Sequence, residues 1–395
     1  MKKRILAFLL CLCVILPMAV ACNSGGDEDT QTDTDAETTQ SPETEEVIGE
    51  PNLRLVSFNV RMDLKKTVLG TLDALSQNRV QAVREQILSY NPDIIGLQED
   101  VQNWVENINI SSDSYTRYMP DEKMASATSE YLSIYVKNGI TVKTSGWKWL
   151  TSDGTNQTVA TTYAELTDGD GYYDMDAMEL MDIGIVNDNT LKTAYTDRAT
   201  GTSYGNKLTS RIMNYVVLEI DGKDVIYVNA HFQHRGYGTA EYTDHPVYML
   251  RYCERGLQYE MVKAQIEELK NTYTDAYVIM AGDFNDSSTS GFFKTVEKDF
   301  IDSMDIAKKG LKLEHTYSPC FKVEQQGQGY IADNESSRVG RIDYCMVSEN
   351  LKKRVALYQV GAVKWTLAQA EGTGAQNVNV YPSDHLPVIV DFCIG

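Results

Sequence analysis

The sequence has no excess of basic residues, no CxxC or Cys/His cluster, no sustained heptad pattern and only one long apolar run. Each absence removes a class of protein. With 36 Lys and Arg against 56 Asp and Glu, formal charge is −20, and no basic footprint for a nucleic-acid backbone is present. Without paired Cys and His ligands there is no sequence signal for zinc. The 27 glycines are too few for collagen, the missing heptads exclude a coiled coil, and a single apolar run excludes a multi-span membrane protein. No internal repeat is visible.

What remains is a globular composition: 395 residues, 42% hydrophobic and 23% charged. The one apolar run is N-terminal. Lys2-Lys3-Arg4 precedes Ile5 to Ala21, which ends Ala19-Val20-Ala21-Cys22. A basic start, an apolar middle and small residues before a cut describe a secretory signal, and a Cys directly after them resembles a bacterial lipobox. An uncleaved helix, or a plain signal with a chance Cys, is the alternative. Residues 1–22 are thus expected to be a lipoprotein signal, with lipidated Cys22 holding the chain on the outer face of the bacterial cell membrane. Residues 23–50 are acidic, rich in Thr and Ser, and free of aromatics. They cannot bury enough apolar surface to fold and are expected to be a self-repelling disordered tether. The first 50 residues hold three bases and ten acids, leaving the body with 33 bases, 46 acids and a charge of −13. Four cysteines fall in the body, of which Cys345 and Cys393 lie in apolar runs and are expected to be buried free thiols, while Cys253 and Cys320 stay open.

From Leu53 onward short apolar runs alternate with helical ones. Strands are expected at 53–60, 93–97, 132–136, 213–220, 225–230, 277–281, 341–347 and 386–392, with an Asp221-Gly222 hairpin turn. Helices are expected at 79–90, ended by Asn91-Pro92, and at 254–270. Residues 141–210 read as an irregular, polar surface elaboration. The mixture, without an obvious linker, predicts one layered α/β domain over 51–395 and a monomer.

The informative residues are polar and sit where strands end: Asn59, Glu99, His231, Asp283, Asn285, Asp343, Asp384 and His385. Amide and carboxylate oxygens suit a hard divalent cation such as Mg²⁺ or Mn²⁺. Histidines beside carboxylates suit proton transfer and stabilisation of phosphate charge. The strings LVSFNV, PDIIGLQE, EYLSIYV, VNAHFQH, MAGDFND, RIDYCMVS and SDHLP occur in that order. In this the sequence resembles the endonuclease/exonuclease/phosphatase superfamily, whose members are metal-dependent phosphoesterases. The resemblance implies a DNase I-like four-layer sandwich: two mixed β-sheets packed face to face with helices outside.

By the same resemblance Asn59 and Glu99 match positions that hold the divalent metal, and Asp384 an acid close to it. Asp283 matches the acid that orients or deprotonates the attacking water. Asn285 matches the amide that holds the phosphate. His385 matches a His oriented by Asp343. His231, paired with Glu130, matches a proton donor to the leaving oxygen. The family sometimes carries a further carboxylate two residues past the Asn; here that position is Arg61, which implies a single-metal site. Read singly, Asn59 and Glu130 are ordinary strand-edge residues, and Asp343 a core aspartate bonded to Arg341. His234 and His315 have no clear partner, although His234 sits in a His-x-x-His spacing that would line the pocket. Thr243-Asp244-His245-Pro246 mimics SDHLP but leads into a helical pattern, and is set aside as a decoy. The expected function is hydrolysis of a phosphodiester or phosphomonoester: nucleic acid, phospholipid headgroup or small phosphate ester. The alternative is a non-catalytic ligand-binding surface lipoprotein on the same fold.

Overall fold

The computed structural model describes residues 49–120, 130–150, 195–196, 203–204, 211–233, 246–317, 340–363, 365–367 and 378–395. The proposed leader at 1–22, nearly all of the tether at 23–50, Cys320 and His234 lie outside these residues. Among the described residues no helix is long and apolar enough to cross a membrane.

The strands, in chain order, are β1 Leu53–Asn59, β2 Ile94–Gln98, β3 Tyr115–Tyr118, β4 Ile134–Lys137, β5 Thr141–Trp149, β6 Tyr195–Thr196, β7 Ser203–Tyr204 and β8 Ile212–Ile220. They continue as β9 Lys223–His231, β10 Tyr277–Asp283, β11 Ile301–Asp302, β12 Asp343–Val347, β13 Val355–Val360, β14 Trp365–Leu367, β15 Val378–Val380 and β16 Val388–Phe392. Two six-stranded mixed sheets result, in the orders β13-β16-β1-β2-β4-β3 and β11-β12-β10-β9-β8-β5. The helices that cover them are α1 Ala74–Ser89, α2 Gln102–Asn107 and α3 Pro246–Lys270.

Three apolar layers follow from the two-residue period of a strand. Between the sheets lie Leu53, Leu55, Ile94, Tyr227, Ile279, Cys345 and Val390. On the outer face of the first sheet, Val56, Phe58, Ile95 and Leu97 meet Val80, Val83 and Ile87 of α1 and Trp104 of α2. On the outer face of the second, Ile226, Val228 and Met280 meet Tyr259, Val262 and Ile266 of α3. Nearly every strand residue of β1, β2, β10 and β12 is buried because both faces are covered. The sheets approach so closely at β2 that a Cβ on Gly96 would collide with the Tyr227 hydroxyl. Cys345 and Cys393 are buried free thiols, as the sequence suggests.

Three expectations are corrected. The segment 141–210 opens with the regular edge strand β5, which pairs antiparallel with β8 along Thr141–Trp149. Exposed Thr141, Lys143 and Ser145 alternate with half-buried Val142, Thr144 and Gly146, a mixed face that carries no apolar period to read. Helix α1 begins at Ala74 rather than Arg79, because the Asp73 side chain caps it by accepting the Ser76 N–H at 2.7 Å. Helix α3 likewise starts earlier than residue 254, at Pro246, so the Thr243–Pro246 string runs into a helix and not a strand.

Candidate active site

Following the inter-sheet face along each strand leads to the site. In β1 the series is Leu53, Leu55, Ser57, Asn59; in β9 it is Val225, Tyr227, Asn229, His231; in β10 it is Tyr277, Ile279, Ala281, Asp283. In β12, which runs the other way, it is Val347, Cys345, Asp343. Each series is apolar at one end and polar at the other, so the polar ends cap the inter-sheet core together. Register makes the alignment strict: Asp283 is the Cα partner of His231 across parallel strands and of Asp343 across antiparallel ones.

Asp283 is the hub. Its Oδ1 accepts the Asn285 backbone N–H at 2.8 Å, and its Oδ2 accepts Asn59 Nδ2 at 3.0 Å. The same Oδ2 lies 3.4 Å from His231 Nε2 and 3.7 Å from His385 Nε2. Burial pushes the Asp283 carboxyl up to about 6 against the pull of His385 and His231.

Each imidazole is held from behind by a carboxylate. His385 Nδ1 is 2.9 Å from Asp343 Oδ2 and 3.1 Å from Oδ1. Burial alone would lower this ring's pKa, but Asp343 and Asp283 raise it to about 10, so His385 is an imidazolium at neutral pH. Arg341 pairs with Asp302 at 2.6 Å, so the reading of Asp343 as its core partner does not hold. His231 Nδ1 is 2.8 Å from Glu130 Oε2, and its Nε2 is 2.8 Å from Asn285 Nδ2. Glu130 is fully buried, which opposes ionisation; His231 and Arg211 overcome this and hold its carboxyl at about 2. Glu130 also accepts the Glu99 backbone N–H at 2.6 Å, which ties the two halves of the site together.

Glu99 follows β2 in the left-handed region, φ 61. This turns its carboxylate inward, where Oε1 accepts Asn59 Nδ2 at 3.1 Å and Oε2 accepts the Met62 N–H at 2.9 Å. Burial opposes its charge, yet His231 and His385 bring its pKa below the ordinary carboxylate value. Arg61 (φ 58) and Asn285 (φ 54) are left-handed as well, so three non-glycine residues at this one end carry backbone strain. The Asn59 side chain faces Glu99 and Asp283 through its amide nitrogen, while its oxygen accepts the Arg61 N–H at 2.9 Å. Asp384 stands to one side: its Oδ2 is 3.5 Å from Arg61 NH1, and burial raises its pKa despite His385 and Arg61. Two groups bring ligand atoms close enough for a cation: Glu99, His231 and Asp283, and Asp283, Asp343 and His385. With no thiolate among them, the carboxylate oxygens of Glu99 and Asp283 suit a hard divalent ion, whereas the His385 imidazolium has no lone pair to give.

Three supporting residues escaped the sequence reading. Arg211 is buried before β8, with NH1 2.6 Å from Glu130 Oε1 and 2.9 Å from His231 Nδ1. Ser383 donates its hydroxyl to the Asn59 carbonyl at 2.8 Å, and Arg79 of α1 donates from Nε to the Pro382 carbonyl at 2.8 Å. Ser383 lies inside the SDHLP string and was legible there. A lone Arg has no such signal, since most are exposed. His315 is half-buried and joins neither group of candidate ligands.

Comparison with known proteins gives the family and the fold. The family described as the Endonuclease/Exonuclease/phosphatase family matches residues 56–385. No curated protein matches the chain. Among solved structures, an endonuclease/exonuclease/phosphatase from Bacteroides vulgatus aligns at 17% identity and TM-score 0.55, covering 87% of this chain and 99% of its own. A mannosyl-6-phosphatase from Bacteroides thetaiotaomicron aligns at 16% identity and TM-score 0.54, covering 87% and 100%. A protein from Enterococcus faecalis, described as conserved and functionally unknown, aligns at 16% identity and TM-score 0.51, covering 86% and 99%. At such identities these structures share the fold.

Proposed function

Because the chain belongs to the endonuclease/exonuclease/phosphatase family and is thereby a phosphoesterase-type hydrolase, we propose that it hydrolyses a phosphate ester by in-line attack of water, with the help of a divalent cation. The observation that carries this reading is the convergence of two imidazole Nε2 atoms on one carboxylate oxygen, Asp283 Oδ2. Asp283 takes a proton from the attacking water as the new P–O bond forms. The bond to the leaving oxygen breaks, and that oxygen receives its proton from His231. The His385 imidazolium, fixed by Asp343, faces the phosphate charge, and the Asn285 amide holds a phosphate oxygen. Glu99 would hold Mg²⁺ or Mn²⁺, which supplies neutralisation of phosphate charge; Asn59, expected as a second ligand, instead steadies that carboxylate through its amide nitrogen, and Asp384 stands beside Arg61. Arg61, in place of a further carboxylate, favours a single ion. The basic, apolar and small-residue order of Lys2 to Cys22 supports export and lipid anchoring to the outer face of the membrane.

The test is a panel of phosphate esters (plasmid DNA, single-stranded RNA, sphingomyelin, inositol phosphates and sugar phosphates) assayed with Mg²⁺ and with EDTA. At least one should be cleaved with Mg²⁺ and spared with EDTA. Full activity of metal-free protein would sink the metal-assisted mechanism. Mass spectrometry of the mature N-terminus tests the anchor: an unmodified Cys22 would refute it.

A further inference from the structure

The chain leaving the metal-side end of β1 does something that neither the fold nor the catalytic reading explains. Residues 65–71 read Lys-Lys-Thr-Val-Leu-Gly-Thr, and all seven are exposed. The segment is nevertheless well organised. Leu64 and Leu72 anchor its base in the outer core of the first sheet, and a β-bridge joins Lys66 to Leu72. Thr67 donates its N–H to the Thr71 carbonyl at 2.6 Å, and the two hydroxyls are 2.8 Å apart. A tight turn closes it: the Gly70 N–H bonds the Thr67 carbonyl at 2.9 Å, with Gly70 at φ 78. The two central residues of that turn are Val68, 106% exposed, and Leu69, 89% exposed. Turn tips are ordinarily Gly, Asn, Asp or Ser, for reasons of backbone geometry and solvation. Here a braced hairpin holds two bare aliphatic side chains out into water, and the other large exposed hydrophobics lie elsewhere in the chain.

The position of the turn matters as much as its chemistry. Met62, three residues before Lys65, donates its N–H to Glu99, and Arg61 faces Asp384. The turn therefore springs from the rim of the active site. The only charges within the exposed segment are Lys65 and Lys66, the second 3.5 Å from the half-exposed Glu106 carboxylate, in a body that is otherwise net acidic.

Two kinds of partner take exposed aliphatic groups. A stable protein interface needs about 800 Å² on each side, far more than a two-residue tip offers. A lipid headgroup layer needs only a few apolar side chains that reach ~5–10 Å into it, helped by flanking lysines if the lipid is anionic. We propose that the Val68-Leu69 turn inserts into an anionic lipid bilayer and so holds the mouth of the site against a membrane surface. A consequence, which rests on the phosphoesterase reading, is that esters displayed on a bilayer are hydrolysed in preference to the same esters free in solution.

The test uses the full chain carrying Leu69→Trp, compared with the unmodified full chain, on vesicles of phosphatidylcholine alone or mixed with phosphatidylglycerol, with and without brominated acyl chains. Fluorescence at position 69 reads the turn itself, whatever the N-terminus does. The added emission should shift to the blue and be quenched by brominated lipid on the anionic vesicles, and much less on the neutral ones. Emission that stays water-like and unquenched on both overturns the proposal and leaves a protein partner as the occupant. A second arm uses V68D/L69D, whose positions are too exposed to disturb the fold. Its rate on an ester embedded in anionic vesicles should fall about tenfold or more, while its rate on a short-chain, water-soluble form of the same ester stays unchanged. Equal loss on both forms overturns the surface preference. If neither form is hydrolysed by the unmodified protein, the catalytic reading fails, and the quenching result still decides the docking.

Discussion

His231 and His385 reach the same atom: Asp283 Oδ2 lies 3.4 Å from Nε2 of the first and 3.7 Å from Nε2 of the second. Residues 154 positions apart in sequence thus share one carboxylate oxygen, and each ring is backed by a carboxylate of its own. His231→Ala and His385→Ala should each lower the rate by about 10²–10⁴-fold, the usual range for a general acid or base. Since both act on one transition state, the double variant should lose less than the product of the singles. Steady-state rates, with circular dichroism to establish folding, decide it; strictly multiplicative losses would mean that the two rings act independently.

Glu99 accepts from Asn59 and Met62 and faces the centre of the site. Glu99→Gln keeps the shape and removes the charge. The variant should bind Mg²⁺ more weakly and lose about 10²-fold or more in rate, on the scale of removing one preorganised electrostatic partner. Titration calorimetry with Mg²⁺ alone reads the binding directly. Unchanged affinity would remove Glu99 from the metal site.

Arg211 neutralises Glu130 in a place where both side chains are under a tenth exposed. Arg211→Met leaves Glu130 buried without its guanidinium partner, beside the His231 ring alone. Loss of one member of a buried pair costs about 3–5 kcal/mol, and a drop of that size should appear in urea denaturation. Glu130→Gln in the same background should recover part of it, because the uncompensated charge is gone.

The pH dependence of stability follows from His385, whose pKa of about 10 lies above its ordinary 6.5. A raised pKa means that the folded state holds this proton more tightly than the unfolded chain does. The ion pair with Asp343 therefore contributes fully below about 6.5, and its contribution is lost as pH rises through about 10. Thermal unfolding in EDTA from pH 6 to 10 should show the unmodified protein losing more stability than His385→Gln. Parallel curves would contradict the ion pair.

Gly96 faces the Tyr227 hydroxyl across the inter-sheet space, and that hydroxyl is buried without a hydrogen-bond partner. Gly96→Ala should cost about 1–3 kcal/mol through overpacking. Adding Tyr227→Phe should return part of that by removing the oxygen. Denaturant midpoints of the two single variants and the double variant check the coupling.

The sequence by itself determined the central strands, because their burial on both faces leaves continuous apolar runs such as LRLVSFN and YVIMAGD, but not β3, β5, β11 and β13 towards the edges. It also marked where polar residues end those runs, and the ordered strings around them identified the family before any geometry was available. It was silent where the signal was not apolar: β5 is an edge strand with a mixed face, and α1 is started by a side-chain cap. Tertiary structure alone decided which polar residues meet. Strand parity places Asn59, His231, Asp283 and Asp343 on the inter-sheet face, but only the register that aligns Asp283 with both His231 and Asp343 brings them into one row. Arg211 shows the limit most plainly. A charged residue before a strand reads as surface, and it becomes part of the site only because packing the two sheets shuts water out around Glu130, where an ionised carboxylate needs a cation beside it.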